Sequence, residues 1–97
     1  MRKTDKKIEK KLRDALTEVC EVTLKDIVGY EWITHKVNYQ QFPASLHIEC
    51  AFSSSQVVEQ LKHSQEDLRL QNIIAEKLSS VGINLQNVNK QIKMVVK

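Results

Sequence analysis

Residues 29–53 read GYEWITHKVNYQQFPASLHIECAFS and hold the only Trp, both Tyr, both Phe and the only Pro of the chain. A catalytic pocket, a stacking surface for bases and an ordinary β-hairpin core all concentrate aromatic residues in this way, so the periodicity has to decide. Tyr30, Trp32, Ile33, Val37 and Tyr39 form a β-branched and aromatic run with imperfect alternation. Leu46, Ile48, Cys50 and Phe52 then alternate strictly with Ser45, His47, Glu49 and Ala51, the pattern of a half-buried strand. Gln40 to Ala44 connect the two. Pro43 has no N–H to give a ladder and belongs in the turn or at a strand end. Two strands joined so closely pair antiparallel. The aromatic residues are therefore read first as the filling of a small sheet, ahead of a ligand-stacking role.

Helical spacing frames this hairpin. Upstream, Ile8, Leu12, Leu16 and Val19 recur at steps of four, four and three, with Ala15 and Cys20 widening the stripe. Thr4 or Asp5 is the expected N-cap, Thr23 and Ile27 prolong the apolar face, and Gly29 is the expected stop. Downstream, Ser53 to Ser55 offer an N-cap for a helix through Val57, Val58 and Leu61. Ser64 with Asp67 suits a second capping start, and Leu70, Ile73, Ile74, Leu78 and Val81 form a clean stripe ending at Gly82. The tail LQNVNKQIKMVVK fits both periods, and its β-branched ending favours a third strand. The expected fold is a single α+β domain over residues 1–97, in two layers and in the order α-β-β-α(-α)-β. Its sheet is small and mostly antiparallel, with the helices on one face. Exposed edges of such a sheet give a homodimer by pairing with a second copy.

At 97 residues, with 41% apolar and 28% charged residues, the composition is that of one globular domain with a modest core, not of a disordered chain. No apolar run reaches the length of a membrane span, and the basic start MRKTDKKIEKKLRD lacks the apolar segment of a secretory signal. Cys20 and Cys50 lie far apart within apolar patterns, as free thiols of a reducing compartment do, which points to the cytoplasm. The net charge of +3 is unevenly laid out. Through Arg13, seven basic residues face two acidic ones; from Asp14 to Asn89, ten acidic residues face five basic; Lys90, Lys93 and Lys97 follow. A lysine cluster at a helix N-terminus opposes the macrodipole, so helix stability does not explain it. The candidate nucleic-acid-binding residues are Lys3, Lys6, Lys7, Lys10, Lys11 and Arg13, aided by Lys90 and Lys93.

Catalytic chemistry has little to stand on. His35, His47 and His63 lack the tight spacing of metal ligands, although a hairpin brings His35 towards His47, with Glu49 on the same face as His47. Cys50, Ser53 or Thr34 would each need a histidine base, and no GxSxG, HExxH or P-loop motif is present. Two glycines cannot build a phosphate cradle. The chain is expected to be no enzyme, with no catalytic residue, metal or cofactor.

Two local resemblances bear on partners. The element order is similar to that of type II KH domains and KH-like ribosome-assembly factors, but LKHSQED stands where their GxxG loop would. AEKLSSVGINLQNVNKQIK resembles the helix-turn-helix of Fis-type regulators, with Ala75, Gly82, Ile83, Asn84, Lys90 and Lys93 at corresponding positions and Leu78 where a small residue is wanted. Through MRKTDKK, EWITHKVNY and FPASLHIECAF, the chain as a whole resembles a small, functionally uncharacterised bacterial protein family whose members are sometimes labelled Fis-like. That resemblance implies a bacterial cytoplasmic protein and no ligand. The expected function is nucleic-acid association, RNA or ribosome ahead of duplex DNA, through the basic first helix. The alternatives are a protein-interaction or dimerisation module and a Fis-like DNA-binding regulator.

Overall fold

The computed structural model describes residues 3–42 and 44–97, and the side chains of all of these except residues 3–5. The chain runs α1 (Lys3–Val22), β1 (Tyr30–Lys36), β2 (His47–Phe52), α2 (Ser55–His63), α3 (Glu66–Ser80), a single turn α4 (Val88–Gln91) and β3 (Ile92–Val96). Short 3₁₀ turns at Leu24–Asp26 and Tyr39–Gln41 flank β1. The fold is thus α+β, in the expected order. In the three-stranded sheet β2 is central, with six antiparallel pairs to β1 and five parallel pairs to β3. A parallel neighbour needs a long crossover, which α2 and α3 supply.

Alternation puts Ile48, Cys50 and Phe52 on the helix side of β2, each fully buried. Against them pack Leu12, Leu16 and Val19 from α1, Val58 and Leu61 from α2, and Leu70, Ile74 and Leu78 from α3. The apolar stripes of the sequence are the core. At about 25 cal/mol per Å² these groups supply most of the folding drive of so short a chain.

The helix ends hold several corrections. Thr4 and Asp5 lie inside α1, whose described range already includes Lys3; their side chains fall outside the described residues, as does Pro43. α1 stops at Val22, and the apolar pattern through Ile27 is carried by the 3₁₀ turn that buries Leu24. Ser54 caps α2, its Oγ accepting from Val57 N at 3.4 Å. Ser64 does not start α3: it closes α2, its hydroxyl donating to the Leu61 carbonyl at 3.3 Å. Gln65 makes the break between the helices in a left-handed conformation, φ 64°. Gly82, φ 86°, ends α3 in a Schellman motif, with Gly82 N donating to Ser79 O and Ile83 N to Leu78 O.

The tail is one turn of helix followed by a strand. This explains its double periodicity, and no helix-turn-helix forms there: the second helix ends at Gln91, and β3 pairs with β2 from Ile92 onward.

Candidate nucleic-acid interface

Contacts at two points fix how α1 lies along the sheet. Near its C-terminal end, Cys20 Sγ sits 3.1 Å from the hydroxyl of Tyr30, where β1 begins. Near its N-terminal end, Glu9 meets the other end of β1: one carboxylate oxygen accepts a hydrogen bond from the Tyr39 hydroxyl, and the other lies 3.2 Å from His35 Nε2. The Tyr39 hydrogen bond holds the Glu9 carboxyl below its ordinary value against the opposing effect of burial, with His35 and Arg13 adding to the lowering. The basic half of α1 is therefore pinned at the end of the sheet where β1 finishes and β2 and β3 start.

Lys6, Lys7, Lys10, Lys11 and Arg13 are all exposed there, and Lys6, Lys10 and Arg13 line an open concavity with Glu9, Asp14 and Thr17. Lys3 belongs to α1, but its side chain lies outside the described residues. Lys90 and Lys93 lie at the same end of the sheet but on its other side. Lys93 alternates away from buried Ile92 and Met94, onto the face that no helix covers. The two basic groups of the sequence thus flank one end of the sheet from opposite faces. The ion pairs among the described residues are His35–Glu9, Arg69–Glu66, Lys77–Glu18 and Lys97–Glu31, none of which takes a cation from either group.

The uncovered face has an order of its own, set by register. Trp32, Ala51 and Val95 form one row across the three strands, and Thr34, Glu49 and Lys93 the next. Lys36 and His47 lie beyond these, beside the start of β3. Lys36, His47, Lys90 and Lys93, with Thr34, His35 and Glu49, line a concavity of about 340 Å³. Asn87 places Lys90 by capping α4, its Oδ1 accepting from Lys90 N at 3.3 Å. Buried Gln91 holds the same turn against the residue that leads into β2, its Nε2 donating to Leu46 O at 3.0 Å while its Oε1 accepts from Asn87 N.

Trp32 corrects the core reading of the aromatic cluster. A bulge between Tyr30 and Trp32 inserts Glu31 and changes the parity of β1. Tyr30 therefore faces inward, edge-on to Phe52 at 6.2 Å, while Trp32 stands on the open face, 46% exposed. Lys36 and His47 also belong to this surface, and no sequence motif marks them, because only the pairing of β1 with β2 sets them side by side. His35 faces Ile48 rather than His47 and turns to the helix side, so the two histidines do not converge. Among the described residues no group of three or more His, Cys, Asp or Glu side chains is placed to hold a metal ion. Cys50 is inert in its setting: burial, with Cys20 nearby, pushes its thiol up to about 12. No helix among the described residues is long and apolar enough to cross a membrane.

No protein-family model, no curated protein and no solved structure matches this chain.

Proposed function

We propose that this is a non-enzymatic, nucleic-acid-associated protein that contacts phosphates at the basic end of its sheet, RNA or ribosomal RNA ahead of duplex DNA. The observation that carries this reading is the convergence of Lys6, Lys7, Lys10, Lys11 and Arg13 on one side of that end with Lys36, Lys90 and Lys93 on the other. None of these is neutralised by an ion pair among the described residues. Cations kept unpaired at one pole attract a polyanion and release its counterions on contact. The α-β-β-α-α-β order that prompted the KH comparison is the order this chain adopts, but the break between α2 and α3 carries Ser64 and Gln65 and no GxxG. The grip therefore rests on the lysines and not on that loop. A cytoplasmic setting belongs to the same reading, supported by the two free cysteines, and a bacterial one rests on the family resemblance alone.

The test is fluorescence anisotropy of labelled single-stranded RNA and duplex DNA at two salt concentrations, with the fourfold variant K6Q/K7Q/K10Q/K11Q beside the parent. Binding should weaken steeply with salt. In the variant the log–log slope on a single strand should fall by roughly 0.7 for each phosphate that is no longer neutralised. Absence of binding at low salt would refute the proposal. Concentration-dependent self-association in that same protein would then favour a dimerisation module pairing through β1 or β3, the two sheet edges.

A further inference from the structure

We infer that the uncovered face of the sheet is a platform for single-stranded RNA, on which Trp32 stacks a base while Lys36, Lys90 and Lys93 hold the phosphates of the nucleotides beyond it. This rests on the nucleic-acid reading above and adds to it the site and the form of the ligand. A helix-covered sheet face buries its aromatic residues; this face exposes the only Trp of the chain. The Trp32 row is narrow and apolar, continued by Ala51, which is nearly fully buried, and half-buried Val95. Beyond it the charge is mostly positive: Lys36, Lys90 and Lys93 against the single carboxylate of Glu49. An aromatic plane with unpaired cations to one side of it takes an unstacked base and the backbone that leads away from it, and every base has a face to offer. A duplex keeps its bases stacked and shielded, so it cannot use Trp32 in this way.

Glu49 decides between the two kinds of single strand. A carboxylate midway between Thr34 and Lys93 repels phosphate and accepts hydrogen bonds, so the group over it must be a donor. Ribose brings a 2′-hydroxyl donor with every nucleotide, and deoxyribose brings none. The phosphates then pass on the Lys36 and Lys93 sides of Glu49. His47, exposed and paired with Lys36, stands beside this path.

A lone Trp makes the test direct, because all tryptophan emission comes from Trp32. Titration of the whole chain with oligouridylate of about twelve nucleotides should quench that emission, and duplex RNA or DNA should not. Trp32→Ala should weaken binding about tenfold or more, and Trp32→Phe, which keeps a ring, by no more than about threefold. Lys36→Gln with Lys93→Gln should lower the salt slope by roughly 1.4 on a single strand. Since these side chains are exposed, circular dichroism should show the variants folded. Salt-sensitive RNA binding with unchanged Trp32 emission and a wild-type affinity for Trp32→Ala would overturn the platform and leave phosphate binding through α1 standing. No RNA binding at all would remove both. Equal affinity for oligothymidylate would overturn the choice of RNA. Quenching that grows with protein concentration alone would assign the face to a second copy of the chain.

Discussion

Gly29 immediately precedes β1, and replacing it by alanine should be costly for two separable reasons. Its φ is +90°, a region that side-chain-bearing residues rarely adopt, and a Cβ added there would come within 2.8 and 3.0 Å of the two Val57 methyls and 3.2 Å of Ser53 Oγ. The left-handed conformation costs about 1–2 kcal/mol for an L-residue. Forcing a methyl against the first turn of α2 costs about 1–3 kcal/mol more. The stiffer unfolded chain returns about 0.4–1 kcal/mol. The net loss is about 1–5 kcal/mol, and for a domain of this size each kcal/mol lowers Tm by roughly 4–8 °C. Gly82 supplies the control: its φ is +86°, but nothing lies within 4 Å of an added Cβ. Gly82→Ala should therefore show only the conformational loss, about 1 kcal/mol net. The assay is urea unfolding at 25 °C for both variants, followed by circular dichroism, with Val57→Ala added to complete a double-mutant cycle. Truncating Val57 should recover part of the Gly29→Ala loss, with a coupling of about 1 kcal/mol or more. Equal losses at the two glycines, or no coupling to Val57, would refute the packing argument.

Other consequences are as direct. Glu9 has its folded carboxyl lowered from 4.5 by the Tyr39 hydrogen bond, so its contribution to stability is full above that ordinary value and is lost as pH falls through the lowered one. Glu9→Gln should flatten this acid limb of the stability–pH curve, as read by Tm between roughly pH 5 and 3; an unchanged limb would show that the Glu9 contacts do not hold α1 to the sheet. Gln65 sits at φ 64° between two helices, and Gln65→Gly should raise stability by about 0.5–1 kcal/mol in urea unfolding. A decrease there would mean that the glutamine side chain anchors the break. Iodoacetamide applied to the folded protein and followed by mass spectrometry should modify Cys20 before Cys50, whose thiol is buried and raised to about 12. Equal rates would show that the core opens around β2.

What is legible in the sequence is whatever a short period controls. The steps of three and four in α1 and α3, and the strict alternation of β2, put Leu12, Leu16, Leu70, Ile74, Ile48 and Phe52 in the core without any coordinates. Trp32 escapes such a reading because one inserted residue reverses which face a strand residue takes, and nothing local marks Glu31 as the insertion. The tail gives two answers because both are present: Val88 packs from α4, while Ile92 and Met94 pack from β3. Ser64 followed by Asp67 has the composition of a capping start, yet the hydroxyl is taken by the helix before it. Lys6, Lys7, Lys10 and Lys11 form one exposed helical group, as their spacing implies. The grouping of Lys36 and His47 with Lys90 and Lys93 depends on which strands pair, and that long-range choice is written in no single segment.

The open sheet face follows from the number of elements. Three helices of 20, 9 and 15 residues cover one side of a three-stranded sheet and leave, among the described residues, only the single turn α4 near the other. Such a face is stable in water if it is polar, and Thr34, Lys36, His47, Glu49 and Lys93 meet that need. The row of Trp32, Ala51 and Val95 does not, for hydrophobicity alone would place Trp32 inside beside Tyr30. The row is also poorly suited to a protein interface, since a stable one needs about 800 Å² from each partner, with an apolar centre. Here one apolar row is bounded by the Lys97–Glu31 pair on one side and by Glu49 and Lys93 on the other. A second copy laid face to face would set its own lysines against these. A base needs only the width of one ring, with cations along the path its backbone takes, and this face offers Trp32 with Lys93 and Lys36 in the rows beyond it.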